Sequence, residues 1–190
     1  YDFVLLYKTL FCKIAKYDKI IMIQKMNKLK VFEAFAGYGG ASYGLKRSKI
    51  EFEVIGFSEI DKFTSEFYQK NHPKTFNYGD ITKIDPKKIP DFDLFTGGFP
   101  CQPFSRLGER KGIADERFTK PFEGMLKVIE YEKPKYIMLE NVPLPKDAIE
   151  HVLSEIAKLG YQCIVTSMCP NKDLGFVQKR KRIYITCWRS

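Results

Sequence analysis

The most restrictive feature of the chain is a repeated change of hydrophobic period between residues 29 and 188. Short apolar runs, typical of buried strands, alternate with segments whose apolar residues recur at helical spacing. The runs predict strands at 29–35, 53–60, 76–81, 93–99, 135–142, 162–169 and 182–188. Helices are expected at 41–47, 61–70, 118–132 and 146–159. This order predicts an α/β protein with a mostly parallel sheet and helices on both faces.

The composition is that of one globular domain with an appended segment. The chain has 190 residues, 44% of them hydrophobic, which suffices for one substantial core. Residues 29–190 form the predicted domain, and residues 1–28 are a basic, amphipathic extension of unknown role that matches neither a membrane span nor a secretory signal. The five cysteines include no Cys-x-x-Cys pair, so we expect a reducing intracellular protein without a disulfide framework or a metal site.

The positive charge is concentrated at the two ends of the chain. Of the net +9, residues 1–30 contribute seven lysines against two aspartates, and residues 178–190 contribute five basic residues and no acid. A basic segment is often only a solvated tail, so the charge by itself raises the expectation of a nucleic-acid partner modestly.

Glycines and acids follow the ends of the first three predicted strands. A glycine turn at 36–40 precedes the first helix, Glu59 follows the second strand, and Asp80 follows the third. Ligands of parallel sheets bind beyond the carboxyl ends of the strands, where an acid accepts hydrogen bonds from ribose hydroxyls. The pattern therefore predicts a site for an adenosine-bearing cofactor. A glycine turn alone is equally typical of a tight connection without a ligand, and turn plus acid also leaves a dinucleotide-dependent oxidoreductase open.

The fourth and fifth predicted strands end in reactive groups. Cys101 stands between two prolines after the fourth strand, and Glu140 ends the fifth. A thiolate beside a carboxylic acid suits addition to an electron-poor ring while the acid engages a ring nitrogen. Arg180 and Arg182 have the spacing of one strand face and suit a phosphate or a base carbonyl. The structural alternatives are a buried cysteine, a capping acid and a charged edge strand.

Taken together, these segments strongly resemble the DNA (cytosine-5) methyltransferases. The resemblance covers residues 29–188 and rests on an ordered set of motifs. These are Phe35-Ala36-Gly37-Tyr38-Gly39-Gly40, Glu59, Gly79-Asp80-Ile81, Gly98-Phe99-Pro100-Cys101-Gln102-Pro103-Phe104-Ser105, Glu140-Asn141-Val142 and Gln178-Lys179-Arg180-Lys181-Arg182. The resemblance implies a Rossmann-like methyltransferase fold with an antiparallel last strand, S-adenosylmethionine as methyl donor, and a cytosine flipped out of double-stranded DNA.

The resemblance also implies a role for each matched residue. Cys101 corresponds to the nucleophile that adds to C6, and Glu140, Arg180 and Arg182 complete the implied catalytic set. The implied cofactor site comprises Phe35, Ala36, Gly37, Tyr38, Gly39, Gly40, Glu59, Ile60, Asp80, Ile81, Gly98 and Pro100. The implied substrate contacts are Pro100, Gln102, Ser105, Asn141 and Gln178, and the polar segment 105–117 corresponds to a mobile loop that closes over DNA.

The sequence departs from the family pattern mainly in what it lacks. No target-recognition region follows Trp188, and no later Asn-x-Val-Pro-type segment returns to the cofactor pocket. We expect a second polypeptide to carry that region, or the chain to be a truncated or fragmentary member. A prokaryotic restriction-modification enzyme of the cytoplasm and nucleoid is the favoured interpretation. A tRNA cytosine-5 methyltransferase and an inactive cofactor-binding or nucleic-acid-binding module are the alternatives.

Overall fold

The structure is a computed structural model that describes residues 28–100, 115–175 and 177–189. Its strands are β1 (Leu29–Ala34), β2 (Phe52–Ser58), β3 (Leu94–Gly97), β4 (Tyr136–Asn141), β5 (Gln162–Met168) and β6 (Arg182–Trp188). Its α-helices are α1 (Gly40–Arg47), α2 (Lys62–Asn71), α3 (Glu116–Glu132), α4 (Lys146–Lys158) and α5 (Pro170–Leu174). Within these residues, no helix has the length and apolar character needed to cross a membrane.

The described strands form one sheet in the order β2-β1-β3-β4-β6-β5. The pairs β1–β2, β1–β3 and β3–β4 are parallel, whereas β6 runs antiparallel to both β4 and β5. This confirms the predicted mostly parallel sheet and its antiparallel last strand. Because β6 runs antiparallel to β4, it begins at the end of the sheet where β4 ends.

Helices pack on both faces of the sheet, as the sequence predicted. On one face, α3 and α4 bury apolar side chains such as Phe122, Val128 and Val152 in the larger core cluster. On the other face, Leu45 of α1 packs with Val31 of β1 in a second cluster. Alternate residues of β1 thus enter different cores, which is the expected consequence of the two-residue period of a strand.

Local capping explains where two of the helices begin. The Asp61 carboxylate accepts a hydrogen bond of 2.8 Å from the Thr64 amide at the start of α2. Asp115 accepts one of 2.9 Å from the Arg117 amide at the start of α3, so this helix begins two residues earlier than predicted. Arg117, expected in the mobile loop, therefore lies in the first turn of α3, and the rest of that loop up to residue 114 lies outside the described residues.

The strand predicted at 76–81 is wrong. Only Asn77 forms a β-bridge, with Phe57, and Ile81–Lys83 is a 3₁₀ turn. Gly79 adopts a φ of 68°, and the Asp80 carboxylate caps the turn through the Thr82 amide at 3.0 Å. A residue in the left-handed region followed by a side-chain cap interrupts the extended backbone that a strand ladder needs.

The expectation of no disulfide is corrected at one position. Cys163 of β5 and Cys187 of β6 are directly opposite in the antiparallel ladder, and a disulfide joins them across Cα atoms 4.1 Å apart. The two cysteines are 24 positions apart and belong to no motif, so only the strand register brings them together. Among the described residues, Cys169 is a free cysteine.

Gly124 provides a test of how α3 packs against the 3₁₀ turn that follows Asp80. A Cβ at Gly124 would lie 2.8 Å from the carbonyl oxygen of Ile81. Alanine favours a helix by about 1 kcal/mol over glycine, yet this contact is too short to accommodate it. We expect Gly124→Ala to lower the free energy of unfolding by about 1–3 kcal/mol in urea denaturation. Glu130→Ala, on the exposed side of the same helix, should change it by less than about 0.5 kcal/mol. Equal stabilities would contradict this packing.

Candidate functional site

The register of the parallel strands brings the last residues of β1, β2 and β3 level with Leu139, near the end of β4. Ala34 of β1 pairs with Ser58 of β2 and with Gly97 of β3, and Gly97 pairs with Leu139 of β4. The next residues along the chain are Phe35, Glu59, Gly98 and Glu140, the last of them still within β4. Positions predicted for the cofactor and for catalysis thus lie at the same end of the sheet.

A cleft of about 300 Å³ opens at this edge. Of the predicted site residues, it is lined by Phe35, Ala36, Gly37, Tyr38, Gly40, Gly98 and Glu140. Seven further lining residues were not predicted, and Glu33, Thr96, Met138 and Tyr184 are the four of them with larger side chains. Each of these four lies within a strand, among apolar residues, so the sequence offered no motif that would mark it as part of a site. The cleft therefore joins the glycine turn to the acid of β4.

The glycine turn between β1 and α1 has an unusual backbone. Phe35, Gly37 and Gly39 have φ values of 51°, 54° and 82°, all in the left-handed region. Glycine adopts this region freely, but Phe35 does so at a cost of order 1–3 kcal/mol that surrounding contacts must offset. One such contact is the Glu59 carboxylate, which accepts a hydrogen bond of 2.9 Å from the Gly37 amide. Tyr38 is 71% exposed and contacts Phe67 of α2 edge-on.

The other predicted cofactor residues lie outside the residues that line the cleft. Glu59 is linked to it only through Gly37, and Ile60 is 78% exposed. The Asp80 carboxylate binds the amide and hydroxyl of Thr82, and these bonds hold its pKa below the ordinary value, the hydroxyl bond having the larger effect. Ile81 is 4% exposed and belongs to the core beneath α3.

Glu140 forms an ion pair across two strands. Its Oε1 lies 2.8 Å from Nε of Arg182, the first residue of β6. Burial raises the pKa of Glu140 above its ordinary value, while the charges of Arg182 and Arg180 oppose that rise. The structure thus brings together the three charged residues predicted for catalysis.

The segment leading to Cys101 is anchored beside this ion pair. A Cβ at Gly98 would lie 3.5 Å from Oε2 of Glu140, in ordinary van der Waals contact, so Gly98 lies beside this carboxylate. The side-chain amide of Asn141 donates a hydrogen bond of 3.1 Å to the backbone carbonyl of Phe99. The Phe99 ring is buried against Phe118 and Phe122 of α3.

Some of the remaining predicted residues lie outside the described part of the chain. Pro100 is the last described residue before the gap, and Cys101, Gln102 and Ser105 lie outside the described residues. Gln178 is exposed, and its carbonyl accepts a hydrogen bond of 3.1 Å from the Asn171 amide of α5. It is not among the residues that line the cleft. Within the described ranges, no group of three or more potential metal ligands occurs.

Glu33 is the most unusual residue that sequence reasoning missed. It is 1% exposed within β1, and burial raises its pKa to about 7, an effect that hydrogen bonds from Tyr68 and Ser42 partly oppose. One signal was available, because an ionisable residue in the middle of an apolar strand is uncommon without a function or a partner.

Fold and cleft define the protein first as a Rossmann-like α/β protein of the kind that binds a nucleotide-bearing cofactor beyond its strand ends. The particular family follows from comparison with known proteins. The chain belongs to the C-5 cytosine-specific DNA methylases, whose family model matches residues 29–190. The resemblance recognised in the sequence motifs is thereby confirmed.

Several curated relatives match most of this chain but extend well beyond it. The type II methyltransferase M.NlaX of Neisseria lactamica is 37% identical over 161 residues, which cover 82% of this chain and 51% of the relative. The orphan methyltransferase M.Rho11sI of Bacillus phage rho11s is 38% identical over 170 residues, covering 84% and 33%. The chain thus spans between a third and a half of the length of these relatives.

Solved structures show the same fold. The Dnmt2 methyltransferase of S. pombe aligns with a TM-score of 0.72 and 30% identity, covering 85% of this chain and 51% of its own. The methyltransferase EhMeth of Entamoeba histolytica aligns with a TM-score of 0.74 and 26% identity, covering 87% and 54%. The Rossmann-like fold class predicted from the sequence is therefore confirmed.

The buried carboxyl of Glu33 predicts a particular pH dependence of stability. Its pKa rises from 4.5 to about 7, so between these values the folded protein keeps a proton that the unfolded chain has lost. The free energy of unfolding should fall as pH rises from about 4.5 to about 7, and Glu33→Gln should remove this component. Urea denaturation at several pH values measures it. Glu53→Gln, the same change at an exposed position of β2, serves as the control. Identical pH profiles of the Glu33 variant and the wild type would refute the assignment.

Proposed function

We propose that this chain provides the catalytic region of a DNA (cytosine-5-)-methyltransferase, which transfers a methyl group from S-adenosylmethionine to C5 of a cytosine flipped out of the duplex. The observation that carries the proposal is the environment of Glu140. This acid is the second-last residue of β4, pairs with Arg182, and approaches Gly98 on the segment that leads to Cys101. A dinucleotide-dependent oxidoreductase would leave the Pro100-Cys101-Gln102 and Glu140-Asn141-Val142 motifs unexplained.

The cleft residues fit the proposed cofactor. Ala36, Gly37 and Gly40 line the cleft, and such small residues let a ligand approach the backbone closely. Thr96 adds a buried hydroxyl oxygen that has no hydrogen-bond partner among the described residues. The carboxylates of Glu59 and Asp80 are assigned to the ribose and the adenine amine, with Ile60 and Ile81 beside the ring. When bound, the cofactor supplies an electrophilic methyl group and leaves as S-adenosylhomocysteine.

Cys101 and Glu140 divide the chemistry of the cytosine ring between them. The Cys101 thiolate forms a bond to C6, and the ring electrons that it displaces make C5 nucleophilic. Glu140 donates its proton, or a hydrogen bond, to N3 and so neutralises the charge that develops there. Burial raises the pKa of Glu140, which makes protonation easier than for an exposed glutamate. After C5 has gained its methyl group, it loses its proton to a base. The C6–S bond then breaks, and its electron pair returns to Cys101.

The substrate side is assigned to polar groups around these two residues. Arg182 holds the Glu140 carboxyl through the ion pair, and the charge of Arg180 lowers the pKa of the same carboxyl. Asn141 positions the segment that carries Pro100 and Cys101 by holding the Phe99 carbonyl. Gln102, Ser105 and Gln178 are assigned to the flipped nucleotide and its phosphates.

Recognition of a DNA sequence is assigned to a region beyond residues 29–190. The relatives are two to three times as long as the part that this chain spans. That additional region is proposed to lie on a second polypeptide or on further sequence of the same protein. A restriction-modification role in a prokaryotic cytoplasm, at the nucleoid, is proposed because relatives of this chain are named type II methyltransferases.

We expect the chain by itself to methylate ordinary duplex DNA poorly. Nothing in residues 29–190 is assigned to reading bases in the major groove, and the unassisted flipping of a paired base costs a few kcal/mol. Transfer of tritiated methyl groups to duplex DNA and to tRNA measures this directly. Robust methylation of duplex DNA would contradict the need for a further region, and preferential methylation of tRNA would replace DNA as the substrate.

The covalent step can be tested without a recognition region. In a duplex with a mismatched 5-fluorocytosine, the base is already loosely held, so access depends less on assisted flipping. With S-adenosylmethionine present, we expect the wild-type chain to form an adduct that resists denaturation, because fluorine at C5 cannot leave as a proton. Cys101→Ala should abolish the adduct, whereas Cys169→Ala, at a free cysteine outside the cleft, should retain it. Adduct formation by the Cys101 variant would refute the assigned nucleophile, and its absence in the wild type would favour an inactive binding module.

A further inference from the structure

The buried acid of β1 connects the two helices that flank the glycine turn. Oε1 of Glu33 accepts a hydrogen bond of 2.5 Å from the Ser42 amide, in the first turn of α1. Oε2 accepts one from the hydroxyl of Tyr68, in α2. These two donors are neutral, and Glu33 also lines the cleft. The carboxyl is therefore held on both sides by groups that belong to different helices.

Tyr68 contacts the glycine turn itself as well as the acid beneath it. A Cβ at Gly39 would lie 3.2 Å from Cε2 of the Tyr68 ring, so the ring supports the turn directly. The same ring stacks on Phe57 of β2, with centroids 4.1 Å apart, and on His72, with centroids 4.7 Å apart. The position of the hydroxyl is thus determined by packing on several sides.

Ser42 and His72 complete the cluster. The Ser42 hydroxyl donates to the Gly39 carbonyl at 3.1 Å and lies 3.1 Å from Nε2 of His72. Burial lowers the pKa of His72, and the charge of Lys46 on α1 lowers it further. The titratable groups that face Glu33 or its partners are therefore Tyr68, His72 and Lys46. Lys46 belongs to α1, Tyr68 belongs to α2, and His72 directly follows α2.

The turn above this cluster requires such support. Phe35, Gly37 and Gly39 all have positive φ, and a backbone of this kind persists only where surrounding contacts hold it. Glu59 holds the Gly37 amide from one side. On the other side, the contacts to Gly39 come from Ser42 and Tyr68.

We propose that Tyr68 is a positioning residue for cofactor binding, acting through Glu33 and Gly39 to hold the glycine turn in its binding conformation. The inference rests on the proposed function, since the turn is assigned there to S-adenosylmethionine. It adds α2, whose residues line no part of the cleft, to the elements that determine cofactor affinity.

The test compares two tyrosines that each lose one hydroxyl. Tyr68→Phe removes the donor to Glu33 but keeps the ring under Gly39. Tyr78→Phe is the matched control, because its hydroxyl donates to the Lys88 carbonyl at 2.9 Å, outside the cleft. Calorimetry gives the Kd for S-adenosylmethionine, and amide hydrogen exchange reports how often residues 36–47 open. We expect Tyr68→Phe to raise both the Kd and the exchange rate of this segment about tenfold, the effect of losing one hydrogen bond to an ionisable group. Tyr78→Phe should change neither.

The possible outcomes separate this inference from the proposed function. If Tyr68→Phe lowers the thermal stability but leaves Kd and exchange unchanged, Tyr68 serves only in packing and the inference fails. If the wild type binds no S-adenosylmethionine, the proposed cofactor site fails, and with it the role of Tyr68 in affinity. In that case, the amide exchange of residues 36–47 still tests the contact between Tyr68 and the turn. Unchanged exchange in Tyr68→Phe would show that Tyr68 does not support the turn. Faster exchange would show that it supports the turn without a role in cofactor binding.

Discussion

The site depends on the ladder register of the parallel strands. Ala34 is level with both Ser58 and Gly97, and Gly97 is level with Leu139, so β1, β2 and β3 end beside the last residues of β4. A shift of one residue would move every side chain of a strand to the opposite face. Glu140 would then point into the α3–α4 core instead of toward Arg182. The two large apolar cores, which allow only one register, therefore also determine the chemistry at the edge.

The antiparallel strand β6 contributes what the parallel strands cannot. A parallel neighbour of β4 would also end at this edge, whereas β6 begins there and presents its first residue, Arg182, beside Glu140. The exposed segment that leads into β6 then carries Arg180 past the same acid. Insertion of β6 between β4 and β5 is thus the topological reason why a basic segment far along the chain meets the carboxyl group of β4.

Local signals predicted the sheet and the order of its motifs but not the contacts between distant residues. Continuous apolar runs identified β1, β3 and β4, because buried parallel strands are apolar on both faces. The run at 76–81 failed, since Gly79 and Asp80 impose a turn that apolar content does not reveal. Glu33 was overlooked for the converse reason: its donors Ser42 and Tyr68 come from two helices, and no periodicity reports such a pairing. The disulfide of β5 and β6 likewise depends on register alone.

The cleft is lined by two carboxyl groups in contrasting environments, the buried Glu33 and the half-buried Glu140. Glu140 has a guanidinium partner, whereas the hydrogen bonds to Glu33 come from an amide and a phenol. Burial raises the pKa of both, but in Glu140 two arginines oppose the rise. The protonation of Glu33 therefore depends on burial and on donors that carry no charge, whereas that of Glu140 depends also on the arginines that β6 and the segment before it bring to the end of β4.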